Sequence, residues 1–79
     1  MEITEFVQNI VKHLIDYPEE LTITQVEGEK GAVFEIRVNP ADIGKVIGKS
    51  GRTVKALRTL VGALAARSGI RGATLEIVE

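Results

Sequence analysis

Gly48-Lys49-Ser50-Gly51 sets a lysine and a serine between two glycines, at the joint between two helical patterns. Glycine has no Cβ, so the backbone can turn tightly there and a ligand can come close to it. The second glycine opens a long helical pattern. The unpaired N–H groups of a helix N-terminus carry partial positive charge and suit a phosphate. Lys45, Lys49, Arg52 and Lys55 crowd the same joint. Two kinds of phosphate chemistry come into question: a nucleotide cradle and a grip on a nucleic-acid backbone. The nucleotide cradle G-x-x-x-x-G-K-[ST] needs its first glycine at position 43, which is Ile43, and it follows a strand rather than a short helix. Nucleotide hydrolysis is therefore disfavoured, and no enzymatic activity is expected.

The charge is segregated. The chain carries a net charge of −1, but residues 1–39 hold eight acids and three bases. Residues 40–72 hold seven bases (Lys45, Lys49, Arg52, Lys55, Arg58, Arg67, Arg71) against Asp42 alone, and residues 73–79 add Glu76 and Glu79. A basic region of +6 on an otherwise acidic body is the electrostatic footprint of a polyanion site. The hydrophobic share of 44% and the length of 79 residues predict one small globular domain over residues 1–79. No cysteine is present, which fits a reducing compartment, and no leader pattern is read at the N-terminus, so a cytoplasmic location is expected. The longest apolar run, Leu60 to Ala66, is far short of the ~20 residues that span a bilayer, so no membrane is expected. His13 has no cysteine or second histidine near it, and neither a metal nor another cofactor is implied.

Ile3, Phe6, Val7, Ile10, Val11, Leu14 and Ile15 recur with helical spacing and predict an amphipathic helix that runs on until Pro18 stops it. Leu21 and Ile23 alternate with threonines, and the alternation slips at Gln25-Val26, where a bulge is expected. A turn follows at residues 27–31. Ala32, Phe34, Ile36 and Val38 then mark the clearest strand, and the short link makes a hairpin. Asn39 and Pro40 predict the cap and first residue of a short helix with Ile43, Val46 and Ile47 on one side. A second helix is expected from Arg52 to Ser68, with Val54, Leu57, Leu60, Val61 and Leu64 as its buried stripe and Gly69 as its stop. Ala73, Leu75 and Ile77 mark a last strand. The order α-β-β-α-α-β, with a helical crossover before the last strand, predicts a three-stranded mixed sheet covered on one face by three helices, an α+β fold.

The segment Ile43-Gly44-Lys45-Val46-Ile47-Gly48-Lys49-Ser50-Gly51-Arg52-Thr53-Val54-Lys55-Ala56-Leu57 resembles the KH-domain signature V-I-G-x-x-G-x-x-I-x-x-[IL], with Val54 where isoleucine is commoner. The element order is similar to the type II (prokaryotic) KH arrangement, and the whole pattern resembles the small bacterial single-KH RNA-binding proteins of the KhpA (YlqC-like) kind. The resemblance implies single-stranded RNA as ligand and RNA chaperoning or post-transcriptional regulation as the role. It also implies a larger KhpB (Jag)-type KH-containing partner and a link to cell shape and the cell wall.

On that reading Gly48 and Gly51 let phosphates approach the main chain, Lys49 and Ser50 add a charge and a hydroxyl, and Lys45, Arg52 and Lys55 form a cationic border. Ile43 or Ile47, with Val54, contributes an apolar groove floor, and the opposite wall is expected at the sheet edge near Val33 to Val38. Arg58, Arg67 and Arg71 stay open between solvated surface and a second RNA contact. Phe6 and Phe34 are read as core, so base stacking on aromatic rings is not the expected tactic. Gly62, inside a helix, marks close packing against another backbone, in this domain or across a homodimer. The alternative function is a dimerisation module without RNA binding.

Overall fold

A computed structural model of the chain describes residues 2–79. Helix α1 spans Ile3–Val11, strands β1 and β2 span Thr22–Gly28 and Gly31–Arg37, helices α2 and α3 span Ile43–Ile47 and Arg52–Arg67, and strand β3 spans Thr74–Val78. Single 3-10 turns at Pro18–Glu20, Pro40–Asp42 and Lys49–Gly51 link them. β1 pairs antiparallel with β2, and β2 pairs parallel with β3, so β2 is the central strand. This is the mixed sheet of a type II KH fold. No helix among the described residues is long and apolar enough to cross a membrane.

Strand parity places the layers. Ala32, Phe34 and Ile36 of β2 and Leu75 of β3 are buried beneath the helices, together with Val7 and Val11 of α1, Val46 of α2, and Val54, Leu57, Val61 and Ala65 of α3. Phe34 is fully enclosed at the middle of the central strand, where a side chain of this size contributes about 3 kcal/mol by leaving water. The opposite parity, Thr24, Glu35 and Glu76 in one cross-strand row, lies on the uncovered face of the sheet. α3 occupies the middle of the helical layer, touching α1, α2 and β3.

Four expectations need correction. α1 ends at Val11, well before Pro18, because the chain tightens into turns in which His13 N–H donates to Ile10 and Leu14 N–H to Val11. That tightening turns Leu14 to solvent and drops Ile15 into the core. β1 carries no bulge: its register runs unbroken from Thr22 opposite Arg37 to Gly28 opposite Gly31, and the slip in alternation reflects an edge strand with little to bury. Along α3 the buried stripe includes Ala65, while Leu60 is exposed and Leu64 partly so, because the sheet reaches a narrower arc of the helix than its apolar residues span. Gly62 meets no neighbour, and a Cβ there would find open space within the domain.

Other local choices follow the residue types. The Asn39 side chain accepts from Ala41 N–H at 2.9 Å and caps the turn that opens on Pro40. α3 stops in a Schellman arrangement: Gly69 N–H donates to Ala66 and Ile70 N–H donates to Ala65. The loop after it crosses the hairpin tip at van der Waals distance. A Cβ on Gly72 would lie 1.8 Å from the Lys30 carbonyl oxygen, and one on Gly31 would lie 2.0 Å from that of Arg71.

These glycines separate into two classes by experiment. Gly62→Ala should raise stability by about 1 kcal/mol, the helix-interior difference between the two residues. Gly72→Ala should lower it by at least about 2 kcal/mol, since backbone must move and the residue also sits at φ +62°. Chemical denaturation of the two variants reads both values.

Candidate nucleic-acid interface

The joint between α2 and α3 is built from backbone torsions that L-residues avoid. Gly48 has φ +79°, Gly51 has φ +74°, and Ser50 has φ +57°, the one non-glycine residue with positive φ among the described residues. Gly48 also has no room for a side chain, since a Cβ there would stand 2.2 Å from Thr53 Oγ1 and 2.8 Å from Thr53 N. A Cβ on Gly51 would meet only Lys55 Cε, at an ordinary 4.0 Å, so glycine there is required by its torsion alone. The turn is closed by Gly51 N–H donating to the Gly48 carbonyl at 3.1 Å. α3 then begins without any side-chain cap. The Arg52 N–H donates to the Lys49 carbonyl, and the other first-turn N–H groups give the helix start a partial positive charge that suits an anion.

The cations divide into two groups. Lys45 pairs with Asp16 at 3.0 Å and with Asp42 at 3.4 Å, and these are the only ion pairs among the described residues. Lys49, Arg52 and Lys55 are exposed and unpaired there. So the loop and the first turns of α3 hold free positive charge, while Lys45 is held by Asp16 and Asp42. The Asp16 carboxylate, by hydrogen bonding, raises the Lys45 pKa against the opposing effect of burial, and Asp42 adds to it.

Asp42 is what sequence reading missed. It is fully buried, and its two oxygens accept the backbone N–H groups of Asp16 and Tyr17 at 3.0 Å each. Burial pushes its carboxyl pKa up, but those two N–H groups and the Lys45 ammonium outweigh burial and hold it below the ordinary value. The side chain thereby ties the start of α2 to the chain leaving α1. An acid two residues past a proline reads as a solvated first-turn residue, and no periodicity distinguishes it from one.

Of the expected groove floor, Ile47 is 37% exposed beside the loop, whereas Val54 is buried with the core. The opposite wall needs correction. β2 is the central strand and its backbone is shared between two neighbours, so residues 33–37 offer no free edge. The edge strand against α2 and α3 is β3, and Arg58 Nε of α3 donates to the Leu75 carbonyl at 2.9 Å. The geometry therefore offers a positive-φ loop, an uncapped helix start and three free cations, beside an apolar side chain and a strand edge. Such a combination can hold a phosphodiester chain along α3.

The KhpA/KhpB KH-domain family model matches residues 4–77. The RNA-binding protein KhpA of Chlamydia pneumoniae is 48% identical over 95% of both chains. That of Aquifex aeolicus is 45% identical over 95% of this chain and 94% of its own. The KhpA of Streptomyces coelicolor is 41% identical over 95% of this chain and 90% of its own. No solved structure matches.

Two measurements test this geometry. Ser50→Gly should stabilise the domain by about 1 kcal/mol by removing the left-handed strain, and Gly48→Ala should destabilise it by at least about 2 kcal/mol; thermal unfolding reads both. Because the Asp42 pKa is depressed in the folded state, its stabilising effect is complete above the unfolded value of about 4 and is lost as pH falls through the lower folded value. Asp42→Asn should lower the thermal midpoint at pH 7 and flatten its fall between about pH 5 and pH 2. An unchanged acid profile in the variant would remove Asp42 from this role.

Proposed function

Because this chain belongs to the KhpA/KhpB KH-domain family, we propose that it binds single-stranded RNA without chemical turnover, gripping the backbone at Gly48, Lys49, Ser50 and Gly51. The observation that carries the reading is the strained loop itself. Ser50 occupies a left-handed conformation that costs about 1 kcal/mol, at the one place where an uncapped helix start and unpaired cations converge. Strain of this kind persists where the surroundings over-determine it, and it clusters at ligand-binding positions. Lys49, Arg52 and Lys55 supply charge, Ile47 supplies the apolar surface against which a base can lie, and Val54 is buried in the core. A KH loop clamps about four nucleotides. Lys45, already paired, contributes to the field rather than to contact.

The family resemblance extends the reading to RNA chaperoning and post-transcriptional regulation beside a KhpB (Jag)-type partner, with a link to cell shape. One KH unit touches few phosphates, so a second unit in a complex would raise affinity by effective concentration. A second reading, self-association along α3, is favoured by one observation: Leu60 is 44% exposed on the helix face that also carries Ala56 and Ala63. It is compatible with the first, because Leu60 lies about two and a half turns along α3 from Gly51.

The deciding variant is Lys49→Asp with Ser50→Asp. Both side chains are exposed and unpaired, so the fold should survive. Affinity for a fluorescent single-stranded RNA dodecamer should fall at least about tenfold. For the unaltered protein, log K against log salt should have a slope of about −2, at about −0.7 per neutralised phosphate. Unchanged binding by a folded double variant would remove the loop as the grip.

A further inference from the structure

Arg58 is the one cation on α3 whose head group is fixed by the protein. Its Nε–H donates to the Leu75 carbonyl on the edge strand at 2.9 Å, while the residue remains exposed and no carboxylate pairs with it among the described residues. One of its five N–H donors is thus used, and the two terminal nitrogens keep theirs. Lys49, Lys55 and Arg52 have no such anchor among the described hydrogen bonds. Arg58 also lies on the loop's own helix face. Gly51, Lys55 and Arg58 follow at spacings of four and three, which puts the guanidinium about two turns, or roughly 10 Å, along α3 from the loop.

Resting on the RNA-binding reading above, we propose that Arg58 reads a base of the bound strand and favours guanine or cytosine. A guanidinium is a planar donor-only fork. It matches a base edge that shows two adjacent acceptors: O6 and N7 of guanine, or N3 and O2 of cytosine. On adenine the fork meets the N6 amino donor, and on uracil it meets the N3–H donor. The Leu75 carbonyl holds the plane of the fork, so the preference is built in before RNA arrives and costs little ordering of the side chain. The loop cations, as mobile point charges, hold any sequence. Arg58 adds the one fixed hydrogen-bonding pattern on the same path.

The test uses four uridine hexamers with G, C, A or U at one central position, titrated by fluorescence anisotropy against the full chain. The G and C hexamers should bind about tenfold more tightly than the A and U hexamers. Arg58→Lys, which keeps the charge but not the fork, and Arg58→Gln should bind all four with nearly the A and U affinity of the parent. Thermal unfolding checks that both variants are folded. Equal binding of the four by the parent overturns the proposal, as does a preference kept intact by Arg58→Lys. So does a uniform loss in Arg58→Gln with a smaller salt slope, which would make Arg58 a phosphate contact. These failures leave the RNA grip standing, whereas no binding of any hexamer by the parent overturns both readings.

Discussion

Two helices must lie on the same face of one small sheet with only a few residues between them. α2 ends at Ile47 and α3 begins at Arg52, and both bury apolar residues against the same core through Val46, Val54 and Leu57. The chain reverses in that space through torsions on the positive side of φ, at three of four consecutive positions. Everything else at the joint follows. The turn leaves no side chain placed to cap α3, whose first N–H, that of Arg52, donates to the Lys49 carbonyl within the loop. Thr53, in the first turn, packs under Gly48 and excludes any side chain there. The parallel pairing of β2 and β3 imposes this crossover, so the anion-attracting feature is a by-product of how the sheet is wired.

Asp42 makes the short helix α2 dependable. Five residues cannot hold helical structure by their own hydrogen bonds. Val46 anchors α2 by burial, and the Asp42 carboxylate anchors its beginning by accepting two backbone donors from the chain between α1 and β1. A buried carboxylate calls for a positive partner, and Lys45 supplies it, bridging to Asp16 as well. The same residue type therefore serves two purposes within five positions: Lys45 neutralises an internal acid, and Lys49 stands free. Net charge along the sequence counts them alike, and only the fold tells them apart.

The periodic parts of the chain were legible as sequence. Ala32, Phe34 and Ile36 alternate because β2 is covered on one face, and the Asn39-Pro40 cap and the Gly69 stop are local chemistry that needs no tertiary context. The loop, its cations and the order of elements could be placed for the same reason. The misread features depend on contacts between distant segments. Leu60 and Leu14 have the apolar character of core residues but face solvent, because burial is decided by how wide an arc the sheet covers. Asp42 and Arg58 act through partners 25 and 17 residues away, Tyr17 and Leu75, and no spacing rule connects such pairs. The register of β1 looked irregular because an edge strand has too few buried positions to enforce alternation.

The charge split acquires direction from the layering. Glu35 and Glu76 are neighbours on the uncovered sheet face, while Lys49, Arg52, Lys55 and Arg58 belong to the helical side. The loop and the first turns of α3 therefore present a local positive field to a polyanion, although the net charge of the chain is close to zero. Such a field selects a side but not a sequence, because free lysines accept any phosphate. Sequence preference requires a donor whose position is fixed independently of the ligand, and a fixed donor requires an acceptor within the protein to hold it. On this surface the backbone of β3 fills that role: as an edge strand it has a side that no other strand covers, and its Leu75 carbonyl holds the α3 arginine in place. Had the sheet gained a fourth strand beyond β3, the edge that holds Arg58 would have been covered.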